Sequence, residues 1–528
     1  MTVLDLQQPD SSDWIQTYAY DMAARMTGIA SPAGTFTYAY NPGLAGTTSA
    51  SSLTAKIALP NGAWITNTYD SNGRMLGTWL YTNGATALDS SVYTYNVGNQ
   101  RTNVTRTGEN TAAYTYDAIG QVIGDRAYEV SGGAARFNEQ LHYGFDPAGN
   151  LNYRTNNTLI ENFQVNTLNE LTNNTNGGRL TVMGTTMSPA TNVAVNGTNA
   201  LVYGDATFAA TNMPLTTSYT AVASDSLGRW ATNVVSVSIA TNNAAFQYDG
   251  NGNLTRDGLR SFVYDDENQL IQVCMSNQWL SQFAYDGKMR RRIRQEFTWR
   301  RSGWAQTNEV YYVYDGNVVV QERTVNNLPT TTYTRGLDLS ASLQGAGGIG
   351  GLLSMTLNTE LGPSSSNSMY YHSDGNGNVT MLINPSQYIV AKYLYDAFGN
   401  ILSKSGLLAD ANLYRFSSKE AHPNSGLVYY LYRYYDPNLQ RWPNRDPLDE
   451  PGFESLRCFR SDELRYMDLL LEQGDVNLYE FVQNRPTFDY DLLGLDHISF
   501  CKFLFQRLLD ARASGNQAAY IAEVDPIL

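Results

Sequence analysis

The sequence predicts an all-β protein assembled from many short hairpins, and three observations lead there. The first is composition: 37 Tyr and 44 Gly stand against only 16% charged residues. Tyr and Thr suit a pleated, half-buried surface, while Asn, Asp and Gly supply turns. The second is a phrase, aromatic-x-Tyr-Asp-x-x-Gly-Arg/Asn, that occurs in eleven copies. The third is its disappearance between about residues 175 and 243, where another strand rhythm takes over. At roughly 150 residues per domain, a chain of 528 residues has room for three or four units and a large interior.

The copies begin with TYAYDMAAR at 17–25, TYAYNPG at 37–43, NTYDSNGR at 67–74, VYTYNVGNQ at 92–100, AYTYDAIGQ at 113–121 and HYGFDPAGN at 142–150. They resume with FQYDGNGN at 246–253, FVYDDENQ at 262–269, FAYDGKMR at 283–290, YVYDGNV at 312–318 and YLYDAFGN at 393–400. Two aromatics at i and i+2 project from one face of a strand. The Asp or Asn can accept the backbone N–H two residues on, and the Gly supplies a positive φ at the far side of the turn. One copy is therefore a strand, a tight turn and the start of a returning strand. Its aromatic face, about 150–250 Å² per ring, cannot be buried alone, so the copies must stack into a continuous sheet.

This pattern resembles the YD repeats of the bacterial RHS family, also found in the teneurin shell and in insecticidal toxin complexes. The resemblance implies a spiralling β-hairpin (YD-repeat) shell around a hollow, assigned here to residues 1–174 and 244–411. Residues 175–243 interrupt it with LTVMG, VAVNG, YTAVASD and VVSVSI, separated by Gly, Pro and Asn turns. That spacing suggests an inserted immunoglobulin-like β-sandwich, similar to bacterial adhesion or carbohydrate-associated modules. An exposed hairpin tip is where such an insertion is tolerated.

Several motifs are better read as structure. GAGGIGG at 345–351 contains a literal GxGxxG, but no strand-turn-helix context surrounds it, so it is expected to be a glycine turn. KMRRRIRQ at 288–295 continues a repeat's Gly-Arg position, and its arginines are expected to be solvated or paired with carboxylates. A net charge of −14 argues against nucleic-acid binding. Three cysteines and four histidines without metal spacing give no cofactor or metal assignment. The amino terminus shows no signal peptide, and no apolar run is long enough for a transmembrane helix.

Toward the carboxyl end the chain reads GLVYYLYRYYDPNLQRWPNRDP at 426–447 and NLYEFVQNRPTFDYDLLGL at 477–495. These runs resemble the RHS-associated core domain, assigned to residues 412–495. The resemblance implies that this region closes the shell and works as an aspartyl autoprotease. Its first Asp motif matches Arg445 and Asp446, its second matches Asp491, and the cut falls between Leu495 and Asp496. Two neighbouring carboxylates cannot both ionise cheaply, so one can serve as acid while the other activates water. Arg445 would hold the charged partner or the developing oxyanion. Asp436-Pro437, by contrast, is expected to make a turn. Asp491 precedes Leu492 where the family has proline, Asp446-Pro447 lacks the following glycine, and a segment around 461–473 with helical character widens the spacing.

Residues 496–528 form a short variable tail in which Ile498, Cys501, Leu504, Phe505 and Leu508 fall at helical spacing. The expected function is a secreted or cell-surface shell of polymorphic-toxin type that encloses its own carboxyl-terminal segment and has, at most, autoproteolytic activity. A delivery or cap protein and glycans are its expected outside partners. The alternative is a cell-surface adhesion or carbohydrate-binding repeat protein without catalysis.

Overall fold

The computed structural model describes residues 2–9, 13–41, 51–186, 190–236, 244–301, 303–358, 365–447, 477–495 and 497–498. Within them the chain is all-β, as the composition predicts, with large antiparallel sheets and no α-helix among the described residues. The first sheet has sixteen strands. Fifteen follow chain order from Val3–Leu6 to Leu171–Gly178, and the sixteenth is the two-residue strand Ala244–Ala245. The second has fourteen, again in chain order, from Gln247–Tyr248 to Ile401–Ser405.

The repeated phrase explains this meander at the level of single atoms. In the copy at 67–74, Asp70 Oδ1 accepts the N–H groups of Asn72 and Arg74, both at 2.9 Å. Asp70 and Arg74 also close the hairpin through a backbone bond of 3.0 Å, and Gly73 sits at φ +76°, where a side chain would be strained. Arg74 then folds back onto Asp70 Oδ2 at 2.6 Å. Its guanidinium lies 4.8 Å from the ring centre of Tyr95, the second tyrosine of the next copy, whose hydroxyl donates to the Met75 carbonyl at 2.7 Å. The same joint recurs at Arg25, Tyr40 and Met26, and at Arg290, Tyr314 and Arg291. In eight copies the first aromatic is buried, as Tyr18, Tyr38, Tyr93, Tyr143, Phe262, Phe283, Tyr312 and Tyr393, and second aromatics such as Tyr40, Tyr95, Tyr285 and Tyr314 pack partly buried against the same clusters.

The arginine-rich stretch obeys the same logic. Arg290 pairs with Asp286 at 2.8 Å, and buried Arg291 pairs with Glu420. Alternation would put Arg290, Arg292 and Arg294 on one face. Arg291 and Arg294 are the buried pair, however, because the register slips between Ala284 and Tyr285.

The two large sheets meet face to face. Phe36 and Tyr370 pack edge to face with ring centres 6.0 Å apart, and the Tyr370 hydroxyl donates to the Ala33 carbonyl at 3.1 Å. His372 bridges the sheets with Nδ1 2.9 Å from Asp89 Oδ2 and Nε2 3.1 Å from Thr78 Oγ1.

Between Gly178 and Ala244 two small sheets form around a core of their own. One contains Leu180–Thr185, Thr207–Met213 and Leu201–Val202; the other contains Thr198–Asn199, Asn192–Val195, Ser218–Ser224 and Trp230–Ser236. Val193, Val195, Phe208, Ala210, Met213 and Tyr219 are buried between them. The strand Leu171–Gly178 pairs with Leu159–Val165 in the large sheet, so residues 175–178 belong to the wall. The small unit rests on the first sheet through Arg136, 2.7 Å from Asp205, and on the second through Thr185 on Ser403 at 2.6 Å. Its Asp225–Arg229 turn repeats the wall's Asp-Arg clasp without the aromatics.

The expected helices at 461–473 and beyond residue 498 lie outside the described residues. Ile498 itself is strand, because His497–Ile498 pairs with Tyr490–Asp491. No helix among the described residues is long and apolar enough to cross a membrane.

Candidate self-cleavage site

Residues 414–442 and 477–495 run between the two sheets, with a buried aromatic cluster as their anchor. Tyr435 stacks on Phe481 with ring centres 3.8 Å apart, and Trp442 meets Tyr430 and Phe481 edge to face at 5.4 and 5.5 Å. Asp436 does make the expected turn: its Oδ1 accepts the N–H groups of Asn438 and Leu439, and its Oδ2 lies 2.5 Å from Arg260 in the second sheet.

Arg433, three residues before that turn, is the centre of the site. Its Nη2 lies 2.6 Å from Asp446 Oδ2 and 3.7 Å from Asp491 Oδ2, so one guanidinium faces both carboxylates. Nε donates to the Gly494 carbonyl, Nη2 to the Leu495 carbonyl, and Nη1 to the Leu478 carbonyl at 3.2 Å. The guanidinium also lies 4.1 Å from the ring centre of Trp442, which closes its other side.

Asp491 gathers the turn that follows it. Its Oδ1 accepts the N–H groups of Leu493, Gly494 and Leu495 at 3.0, 2.6 and 3.2 Å. Beyond that turn Asp491 stands opposite His497 in an antiparallel pair. Gly494, at φ +75°, lets the turn approach the Arg433 backbone. Burial pushes the Asp491 carboxyl above its ordinary value, against Arg433 and the three N–H groups that draw it down. One carboxyl is thus inclined to keep its proton while the other touches a guanidinium, an arrangement with which acid-base chemistry is compatible.

The structure therefore brings together Asp446, Asp491 and the Leu495 carbonyl, which the sequence separates by up to 49 positions. Asp496 lies outside the described residues. Arg445 is placed elsewhere: it packs against Gly252 and Tyr479, with Nη2 4.0 Å from Glu170, and its side chain is 32% exposed. The guanidinium that meets Asp446, Asp491 and the Leu495 carbonyl is that of Arg433, which the sequence did not single out. Its signal was present as the arginine inside the Tyr-Tyr-x-x-Arg-Tyr-Tyr-Asp-Pro run. Among the described residues no group of three or more His, Cys, Asp or Glu side chains is arranged to hold a metal ion.

No family model matches the chain. Among curated proteins it is similar to the tRNA3(Ser)-specific nuclease WapA of Bacillus spizizenii, 27% identical over 264 residues, which is 49% of this chain and 9% of that protein. It is also similar to the tRNA(Glu)-specific nuclease WapA of Bacillus subtilis subsp. natto, at 25% identity with the same shares. The chain thus spans about a tenth of the length of the curated relatives it matches first (9% of each). Among solved structures it is similar to a TcdB2-TccC3-Cdc42 chain, with a TM-score of 0.38 and 14% identity, covering 99% of this chain and 26% of that one.

Proposed function

We propose that this chain is the shell-and-core part of a secreted or surface RHS-type toxin, and that its core cuts the peptide bond after Leu495. The observation that carries the proposal is the convergence of Asp446, Asp491 and the Leu495 carbonyl on the single guanidinium of Arg433. In the proposed reaction Asp446 takes a proton from a water molecule, whose oxygen adds to the Leu495 carbonyl carbon. Arg433 Nη2 holds the carbonyl oxygen as it gains negative charge. The Leu495–Asp496 C–N bond breaks as protonated Asp491 gives its proton to the departing amine, leaving on Leu495 a carboxylic acid that passes its proton to the new amine. The walls would retain the released segment, 496–528 with anything that follows it, until they open. The relatives named as tRNA nucleases make a nuclease one cargo to test for, while delivery proteins and glycans would meet the outer faces.

Intact mass under denaturing conditions tests the cut: a separate peptide beginning at Asp496 is expected. Asp446→Asn and Asp491→Asn should each abolish it while leaving the strand spectrum unchanged. A wild-type chain that stays whole across pH 4 to 8 would make the core a structural closure only.

A further inference from the structure

The glycine stretch 345–351 packs against the turn that follows Asp491. Lys419 Nζ donates to the carbonyls of Gly347 and Leu492, each at 2.8 Å, and so ties the loop to the residue that follows Asp491. Ala346 and Ile349 bury themselves with Tyr490, and Leu492 packs on that cluster. Gly347 is at φ +59°, and a Cβ there would stand 2.2 Å from the Leu492 carbonyl oxygen. No other residue lets the loop come this close. Asp338 fixes the loop from behind, its Oδ2 accepting the N–H groups of Ala346 and Gly348 at 2.7 and 3.1 Å.

We propose that Lys419, seated by this loop, is the positioning residue of the cleavage site. Its amine pins the Leu492 carbonyl, and so fixes the turn whose N–H groups Asp491 gathers and whose Leu495 carbonyl Arg433 holds. The proposal rests on the self-cleavage reading. Leu492 has no ring to restrict its φ, so the restraint on this turn comes from outside it. The charged groups around the amine are Asp491, Arg335 and Asp338, and the Tyr430 ring centre lies 5.4 Å away. Burial drives the amine down to about 7, with Arg335 adding to the fall while Asp491 and Asp338 oppose it. Loss of its proton in that range weakens both donor bonds, so cutting should slow as pH rises through neutrality.

The test uses the full chain and two readouts. The first is the cleavage rate from pH 5 to 9 by intact mass. Lys419→Met should slow cutting by about tenfold or more and leave only the alkaline fall set by the Asp491 acid, and Lys419→Arg should restore the rate with that same altered profile. The second is hydrogen exchange at Leu493–Leu495 in an Asp446→Asn background, which needs no cleavage. There Lys419→Met and Gly347→Ala, which attack the same contact from opposite sides, should each speed exchange by about tenfold or more. A Lys419→Met chain with the wild-type rate and pH profile overturns the proposal, as does unchanged exchange in both variants. A wild type that never cuts removes the self-cleavage reading, and exchange alone then decides whether Lys419 holds the turn.

Discussion

Replacing Arg433 puts the whole site under strain in a calculable way. Arg433→Gln removes the charged partner of Asp446 at 2.6 Å, the donors to the Leu478, Gly494 and Leu495 carbonyls, and the stack on Trp442. Breaking a buried pair from one side costs about 3–5 kcal/mol, and the lost cation–π contact adds about 1–2 kcal/mol. Against a total stability of about 5–15 kcal/mol, that is enough to loosen the core, so the Gln variant should neither cut nor keep its wild-type urea midpoint. Arg433→Lys is the discriminating variant. It keeps the charge for the two aspartates but loses the planar fork that reaches the Leu495 carbonyl. Losing one donor to a developing oxyanion costs about 10²–10³ in rate, so the Lys variant should fold and cut roughly a hundredfold more slowly. A time course by denaturing intact mass, paired with urea unfolding followed by circular dichroism, reads both effects. Arg445→Ala is the control and should cut within a few-fold of wild type, since its guanidinium faces Glu170. An Arg433→Lys chain cutting at the wild-type rate, or an Arg445→Ala chain slower than it, would refute the assignment.

Burial raises the Asp396 carboxyl to about 6, against the Asn400 side chain and the turn N–H groups that pull it down. Its proton is held more tightly folded than unfolded, so its contribution is complete below about pH 4 and is lost as pH rises through 6, by up to about 3 kcal/mol. Urea midpoints at pH 4, 5, 6 and 7 should show that slope reduced in Asp396→Asn. Tyr95→Phe removes one hydroxyl bond to the Met75 carbonyl and should cost about 1 kcal/mol in urea unfolding, with Arg74→Ala lowering the midpoint further by loosening both turn and ring. Residues 180–236, with a core of their own, should fold when expressed alone, as judged by a cooperative thermal transition. Far-UV circular dichroism of the whole chain should be strand-dominated, and a helix-dominated spectrum would contradict the fold.

The wall was legible because its code is local. Asp and Gly in the phrase dictate a turn through bonds two to four residues long, and alternation puts both aromatics on the face that meets the core. The arginine's second partner was not legible, since Tyr95 stands 21 positions beyond Arg74 and meets it only after the intervening hairpin has formed. The start of the inserted unit was blurred for a similar reason: residues 175–178 are recognisable as wall only once they pair with Leu159, Ile160, Glu161 and Asn162. At the site, Asp446 and Asp491 could be named from motif resemblance, but nothing in Tyr432-Arg433-Tyr434 announces which arginine turns inward. That choice depends on Trp442 and the 494–495 backbone arriving from elsewhere in the chain.

The Arg-on-Tyr joint between successive copies has a consequence for how such a wall can change over generations. Arg25 with Tyr40, Arg74 with Tyr95 and Arg290 with Tyr314 make the same handshake in different places, and each involves only neighbouring hairpins. Unequal recombination that inserts or removes whole hairpins between two such joints rejoins an arginine to an equivalent tyrosine, and the break heals with unchanged chemistry. Length becomes a freely heritable variable, while the single site built on Arg433 does not, because its parts come from two separate stretches, 426–447 and 477–495, that duplication of a hairpin does not copy together.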